Sequence, residues 1–196
     1  MPNIIVTNHV TLDGVMQGPG GRDEDTRGGF DRGGWAAPYA DEVMGRFMGE
    51  RMAKGGALLW GRRTYDKMFS FWPKQTDDNP FTPLLNQRQK YVASRTLTEP
   101  LEWENSTLLN GDVPAQVAEL KSRAGGNIVI LGSGELVRSL MPHGLIDQFV
   151  LTIHPLVLGS GIRLFADDGP YAKLELVHSE PTTTGVLIAV YEPATS

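Results

Sequence analysis

The sequence predicts a three-layer α/β/α domain built on a mostly parallel sheet that closes with a C-terminal antiparallel hairpin. Two observations carry this. Short apolar runs, Ile4 to Val6, Ala57 to Trp60, Lys90 to Ala93 and Ile128 to Leu131, alternate with stretches of helical spacing. The last two apolar runs, Leu174 to Ser179 and Gly185 to Tyr191, follow each other with no helix between them.

The middle of the chain shows the repeating unit. Ile128 to Leu131 stops at Gly132-Ser133-Gly134, after which Leu136, Val137 and Leu140 recur at helical intervals: strand, glycine turn, helix. Such a turn either uses glycine only for its dihedrals or lets a phosphate approach the backbone beside a helix N-terminus. A dinucleotide fingerprint with three glycines would need glycine at position 137, where the chain has Val137.

Taken in order, Asn3 to Thr11 reads as a buried strand ending at Leu12-Asp13-Gly14. From Gln17 to Gly34 the composition turns to Gly, Asp and Arg, which predicts a mobile or ligand-contacting loop of roughly 18 residues that orders over bound ligands. A helix from Tyr39 to Lys54 follows, with Val43, Phe47, Met48 and Met52 as its apolar stripe. Ala57 to Trp60 is the second strand, and Gly61-Arg62-Arg63-Thr64 leads into a short helix through Tyr65 and Trp72. Pro73 to Pro83 is a polar loop and Leu84 to Gln89 a helical turn. Lys90 to Ala93 is a strand ending in Ser94-Arg95-Thr96, Ser106 to Leu109 a short strand, and Val113 to Arg123 an amphipathic helix. A sixth strand spans Gln148 to Ile153. Nothing marks a second domain within residues 1–196.

Composition narrows the function. With 196 residues the chain can bury a core without covalent staples. The absence of cysteine excludes disulfides, thiolate metal sites and a cysteine nucleophile, and no His/Asp/Glu spacing suggests a metal. A net charge of −5 with scattered Lys and Arg excludes an electrostatic nucleic-acid footprint. No apolar run reaches membrane-spanning length and no signal segment is recognisable, so a cytoplasmic protein is expected.

Three strand ends carry residues suited to phosphate: Gly61-Arg62-Arg63-Thr64, Ser94-Arg95-Thr96 and Gly132-Ser133-Gly134. In an open parallel sheet, ligands bind outside the carboxyl ends of strands, so these turns can share one crevice. Arginine supplies forked donors and the hydroxyls supply more, enough for a pyrophosphate and for the 2′-phosphate of NADPH. Each arginine has the alternative of an exposed ion pair.

These motifs, in the order Thr-Leu-Asp-Gly, Gly-Arg-Arg-Thr-Tyr, Ser-Arg-Thr, Gly-Ser-Gly-Glu-Leu and Leu145 to Gly161, resemble the dihydrofolate reductase superfamily, in the branch shared with the reductase domain of bifunctional riboflavin biosynthesis proteins. The resemblance implies NADPH as cofactor and a hydride acceptor of the pterin or 5-amino-6-(5-phosphoribosylamino)uracil kind. It assigns Gly61, Arg62, Arg63 and Thr64 to cofactor phosphates, Ser94, Arg95 and Thr96 to the 2′-phosphate, and Gly132, Ser133, Gly134, Glu135 and Leu136 to the pyrophosphate. Glu135 departs from that role, since a carboxylate beside a pyrophosphate must turn away or cap the helix.

The resemblance places Asp13 beside nicotinamide and substrate; its other reading is a turn residue before Gly14. Dihydrofolate reductases carry an acid on the first helix after Trp-x-x-Pro. Here Trp35-Ala36-Ala37-Pro38 precedes Asp41 by one residue too many, so Asp41 is either the proton donor or a helix cap. Trp35 is expected to stack at the substrate's edge. His9 and His154 read as polar strand residues satisfied in the core. Without cysteine the chain carries no deaminase zinc signature, so a stand-alone reductase remains, beside a true dihydrofolate reductase and a non-catalytic NADPH-binding protein. The resemblance also implies a homodimer.

Overall fold

The computed structural model describes residues 1–76, 78–123 and 125–194; residue 77, in the loop expected at 73–83, lies outside them. Among the described residues eight strands form one sheet, in the order β4-β3-β2-β5-β1-β6-β8-β7. They are β1 (Ile4–Thr11), β2 (Ala57–Gly61), β3 (Lys90–Ala93), β4 (Ser106–Leu109), β5 (Ile128–Leu131), β6 (Gln148–His154), β7 (Leu174–Pro181) and β8 (Leu187–Pro193). β4 to β6 in that spatial order run parallel, and β8 pairs antiparallel with both β6 and β7.

The helices α1 (Glu42–Lys54), α2 (Arg62–Phe71), α3 (Phe81–Gln87), α4 (Val113–Ser122) and α5 (Gly134–Leu140) cover the sheet. On one face Ile4, Val6 and Ile130 meet Val117, Leu120, Val137 and Leu140 of α4 and α5. On the other, Leu58, Trp60, Val92 and Val129 meet Met52 of α1, Tyr65 of α2 and Leu85 of α3. Parallel strands covered on both faces should be apolar throughout. β1 departs from that rule: alternate residues Ile4, Val6 and Val10 are buried, while Thr7 and His9 point to the other face, which is not filled by core.

Boundaries shift where caps decide them. The helix expected from Tyr39 starts at Glu42, because the Asp41 side chain accepts a hydrogen bond from the Met44 amide at 2.9 Å, and Ala37–Tyr39 form a separate 3-10 turn. The apolar stripe omitted Met44, which is buried with Met52. The turn expected from Leu84 begins at Phe81 as α3, with Pro83 in its first turn, where a missing N–H costs nothing.

The glycine-rich segment is a fastened strap. Gln17 is only 3% exposed; its Nε2 donates to the carbonyls of Asp25 and Arg27 and to Asp25 Oδ1 at 3.0–3.2 Å, and its Oε1 accepts from the Ile162 amide at 2.9 Å. The amides of Gly34 and Ala36 bond the carbonyls of Gly18 and Pro19. Where the strap crosses itself, a Cβ on Gly33 would lie 2.2 Å from the Arg22 carbonyl oxygen, so only glycine fits. Composition predicts a mobile or ligand-contacting loop; the segment does line the cleft, and the Gln17 amide with these backbone bonds fastens it in a way that composition does not register.

Candidate functional site

A cleft of about 2220 Å³ opens along the carboxyl ends of β1, β2, β3 and β5 and runs down between β1 and α1. Its volume exceeds the few hundred to ~1,000 Å³ of a site for one small ligand, leaving room for a dinucleotide and a second molecule. All three phosphate-suited turns line it, as do Met16, Gln17 and Arg27 of the strap.

The turns are bonded to one another. Arg62 of the β2 turn donates through Nη1 to Thr96 Oγ1 of the β3 turn and through Nε to Asp66 at 3.2 Å. Ser133 of the β5 turn donates to Thr64 Oγ1 at 2.8 Å and accepts from the Gly61 amide at 3.0 Å. Ser133 holds a left-handed backbone (φ 59°, ψ 49°), a conformation that costs a serine on the order of 1–2 kcal/mol. Gly132, at φ 67°, precedes it. Among the described residues no side chain caps the N-terminus of α2, whose N-cap is Gly61, so its first-turn N–H groups remain for another acceptor.

Other assigned residues do different work. Ser94 is buried, and its Oγ accepts from the Thr96 and Leu97 amides at 3.1 Å, so it shapes the turn that presents Arg95 and Thr96. Leu136 is 6% exposed and belongs to the core below α5, leaving only its backbone for a ligand. Glu135 turns to Arg63, 2.8 Å from its Nη1, and lies 3.6 Å from Nη1 of Arg27. Arg27 is also clamped by Asp25, whose carboxyl that guanidinium holds down at a pKa of about 2.

Both acids proposed as proton donors lie outside the cleft lining. Asp13 accepts from Thr11 Oγ1 at 2.6 Å and from the Leu158 and Gly159 amides at 3.2 and 2.8 Å, tying the β1 turn to the loop after β6. Desolvation raises its pKa, but those three donors outweigh it and hold the group below the usual carboxylate range. Asp41 is the cap of α1, and its second oxygen accepts from the Thr183 amide and hydroxyl at 2.7 and 2.6 Å; the Met44 amide, then the Thr183 hydroxyl, lower its pKa. Trp35 is buried, donates to the Gln17 carbonyl at 2.7 Å, and packs with Val15, Phe30 and Ala36 under the strap instead of edging the cleft.

The limb between β1 and α1 is lined by Ile5, Thr7 and His9 on the sheet side, by Met44, Phe47 and Met48 on the helix, and by Arg51 at its end. Arg51 donates to Gln148 Oε1 at 2.7 Å and lies over the Phe47 ring at 4.9 Å. The sequence reads His9 as a polar strand residue satisfied in the core; the structure instead puts it in the cleft lining. Its Nδ1 lies 3.0 Å from Nε2 of His154 and 2.8 Å from Thr152 Oγ1. Burial lowers the pKa of both rings; His154, also facing His9, is pushed down to about 4. Only the period-2 alternation of β1 could have aimed His9 at the cleft, and nothing local shows its partner 145 residues away.

The RibD C-terminal domain pattern matches residues 2–188, nearly the whole of the chain. The chain belongs to the RibD C-terminal domain family. An uncharacterized Bacillus subtilis protein, YyaP, is 30% identical over 192 residues, covering 96% of this chain and 93% of the relative. Among solved structures, a putative riboflavin biosynthesis protein from Shewanella superposes with a TM-score of 0.69 at 22% identity, over 98% of this chain and 99% of that one. A pyrimidine reductase-like protein of Corynebacterium diphtheriae gives 0.68 at 12% identity, over 100% and 93%. Dihydrofolate reductase from Enterococcus faecalis, solved with NADP(H), gives 0.61 at 16% identity, over 98% and 97%, so the RibD-type domain here has a dihydrofolate-reductase-like fold. Among the described residues no helix is long and apolar enough to cross a membrane, and no group of three or more His, Cys, Asp or Glu could hold a metal ion.

Proposed function

We propose that this RibD-type domain is an NADPH-dependent reductase that acts on a small heterocycle of the pterin or ribosylaminouracil kind. The observation that carries the reading is the joining of three turns, from adjacent strands β3, β2 and β5, into one donor surface around an uncapped helix N-terminus. Arg62, Arg63 and Thr64 with the α2 N-terminus, and Gly132 to Gly134, would hold the pyrophosphate; Arg95 and Thr96 would hold the 2′-phosphate. This donor set fits a phosphorylated dinucleotide, which would supply the hydride for a new C–H bond at the acceptor carbon and leave oxidised.

The second limb suits the acceptor. Methionine and phenylalanine walls accept a planar ring, and few polar groups beside them orient it. The polar end at Arg51 and Gln148 offers hydrogen bonds to a substituent. A true dihydrofolate reductase would use an acid on α1, and both Asp41 oxygens are committed to Met44 and Thr183. A homodimer and a cytoplasmic setting belong to the same reading.

Calorimetric titration with NADPH and NADH tests it. Binding of NADPH that is clearly tighter than NADH, and that weakens about tenfold or more in Arg62→Ala and Arg95→Ala, is the expected result, since a charge-assisted hydrogen bond to phosphate contributes about 1.5–3 kcal/mol. Failure of the wild type to bind either nucleotide would remove the reductase reading.

A further inference from the structure

His9 belongs to β1, whose neighbours on either side are β5, bearing the Gly132 turn, and β6. Asn8, the residue before it, donates to the Gly132 carbonyl at 3.4 Å. His9 therefore sits where the surface of phosphate-suited turns gives way to the apolar limb. Thr152 and His154, its two partners, lie on β6.

The position of one hydrogen decides what this pair can do. His154 is fully buried, and among the described residues its Nδ1 has no partner; the rings of Trp35 and Tyr39 stand edgewise to it at 5.1 and 5.4 Å. If the hydrogen between the two imidazoles sits on His9 Nδ1, neutral His154 must carry its own on Nδ1, leaving a buried N–H without an acceptor. If it sits on His154 Nε2, the unpaired atom is a lone pair, and interiors tolerate an unused acceptor better than an unused donor. The Thr152 hydroxyl, 2.8 Å away, then also donates to His9 Nδ1. In this second arrangement His9 is neutral with its hydrogen on Nε2. That atom has no hydrogen bond among the described residues, is not among the buried unpaired atoms, and belongs to a side chain lining the cleft.

We propose that His9 presents its Nε2 hydrogen to the substrate heteroatom that gains negative charge during reduction, and that His154 is the positioning residue that fixes this tautomer. The inference rests on the reductase reading. When hydride forms a C–H bond at the carbon of a C=N or C=O group, the π electron pair moves to nitrogen or oxygen. A donor already aimed there stabilises that charge more than it stabilises the neutral substrate. The proton that completes the reduction comes from water in the open cleft, because loss of the Nε2 hydrogen would leave an imidazolate. Neither Asp13 nor Asp41 reaches the cleft to compete for the role.

The first test needs no cofactor. In protein carrying ring-15N histidine, NMR at pH 7.5 should find both His9 and His154 protonated on Nε2, with His9 Nδ1 as an acceptor, and His154→Phe should turn His9 into a tautomer mixture. A His9 hydrogen on Nδ1 overturns the proposal. The second test follows NADPH oxidation with dihydrofolate, 7,8-dihydrobiopterin and 5-amino-6-ribosylaminouracil 5′-phosphate as acceptors. His9→Phe should bind NADPH as the wild type does and lose about 100-fold in kcat, with KM changed less than about threefold. His9→Gln, which restores a donor at similar reach, should recover about tenfold of that loss. A His9→Phe variant with wild-type kcat overturns the proposal while leaving the reductase standing. A wild type that binds no NADPH, or that reduces none of the acceptors, removes the reductase reading and the substrate role of His9 with it.

Discussion

Glu135 shows how one carboxylate changes an anion site. Exposed by more than half, it forms ion pairs with Arg63 and Arg27 that contribute little to folding. Its charge nevertheless sits beside the place assigned to phosphate, where a unit charge about 5 Å away in water costs about 1 kcal/mol. Glu135→Gln should therefore tighten NADPH binding about fivefold at low salt, with the gain shrinking as ionic strength rises; calorimetry at two salt concentrations reads both. Unchanged or weaker binding would mean that Glu135 holds the arginines in place for the ligand. The residue scale is also where the sequence was least legible. The places of Arg62, Arg95 and Gly132 in the cleft lining were legible because the turn that holds each begins where an apolar run ends, whereas the commitments of Asp13, Asp41 and Trp35 depend on partners at 158, 183 and 17 that no local pattern displays.

Among the elements, strands and helices were readable because apolar periodicity and glycine turns fix them locally, and caps then moved their ends by a few residues. The strap was not readable in the same way. Its order depends on Gln17, whose amide satisfies two carbonyls and one carboxylate of the same loop and receives the amide of Ile162. Replacing Gln17 with Leu strands those groups, each at about 1–3 kcal/mol if they stay buried, so the strap should open locally before the domain unfolds. Limited trypsin digestion should cut at Arg22, Arg27 or Arg32 at least about tenfold faster than in the wild type, while the thermal midpoint falls far less. Equal cleavage rates would show that the strap is held by its packing around Phe30 and Trp35 alone.

For the whole molecule, the sheet divides its labour: carboxyl ends of parallel strands form the cleft, and buried polar groups beneath them hold strands to helices. Lys90 is one such group, fully buried, its ammonium donating to the carbonyls of Leu85, Asn86 and Arg88 at 2.7–3.1 Å and lying 4.6 Å from the Trp103 ring centre. It closes the C-terminus of α3, and Lys90→Met should cost about 3 kcal/mol in urea unfolding, because three carbonyls lose a charged donor. A loss below ~1 kcal/mol would mean that water replaces the ammonium.

The His9–His154 pair links the site to the stability of the whole domain through pH. Unfolded histidine titrates near 6.5, whereas His154 in the fold is held down to about 4. Between those values the unfolded chain binds a proton that the folded chain refuses, so stability is full above about pH 6.5 and falls as pH drops towards 4. The loss amounts to roughly 3 kcal/mol, a large part of the 5–15 kcal/mol typical of a domain, and the lowered pKa of His9 acts in the same direction. Urea unfolding of the wild type and His154→Phe at pH 7.5, 6.0, 5.0 and 4.5 isolates this contribution, since carboxylates elsewhere titrate in both. The free-energy difference between the two proteins should shift by about 3 kcal/mol against the wild type over that range. A constant difference would mean that His154 accepts a proton in the fold as readily as in the open chain, through its unpaired Nδ1, and the tautomer assigned to His9 would then lose its physical basis.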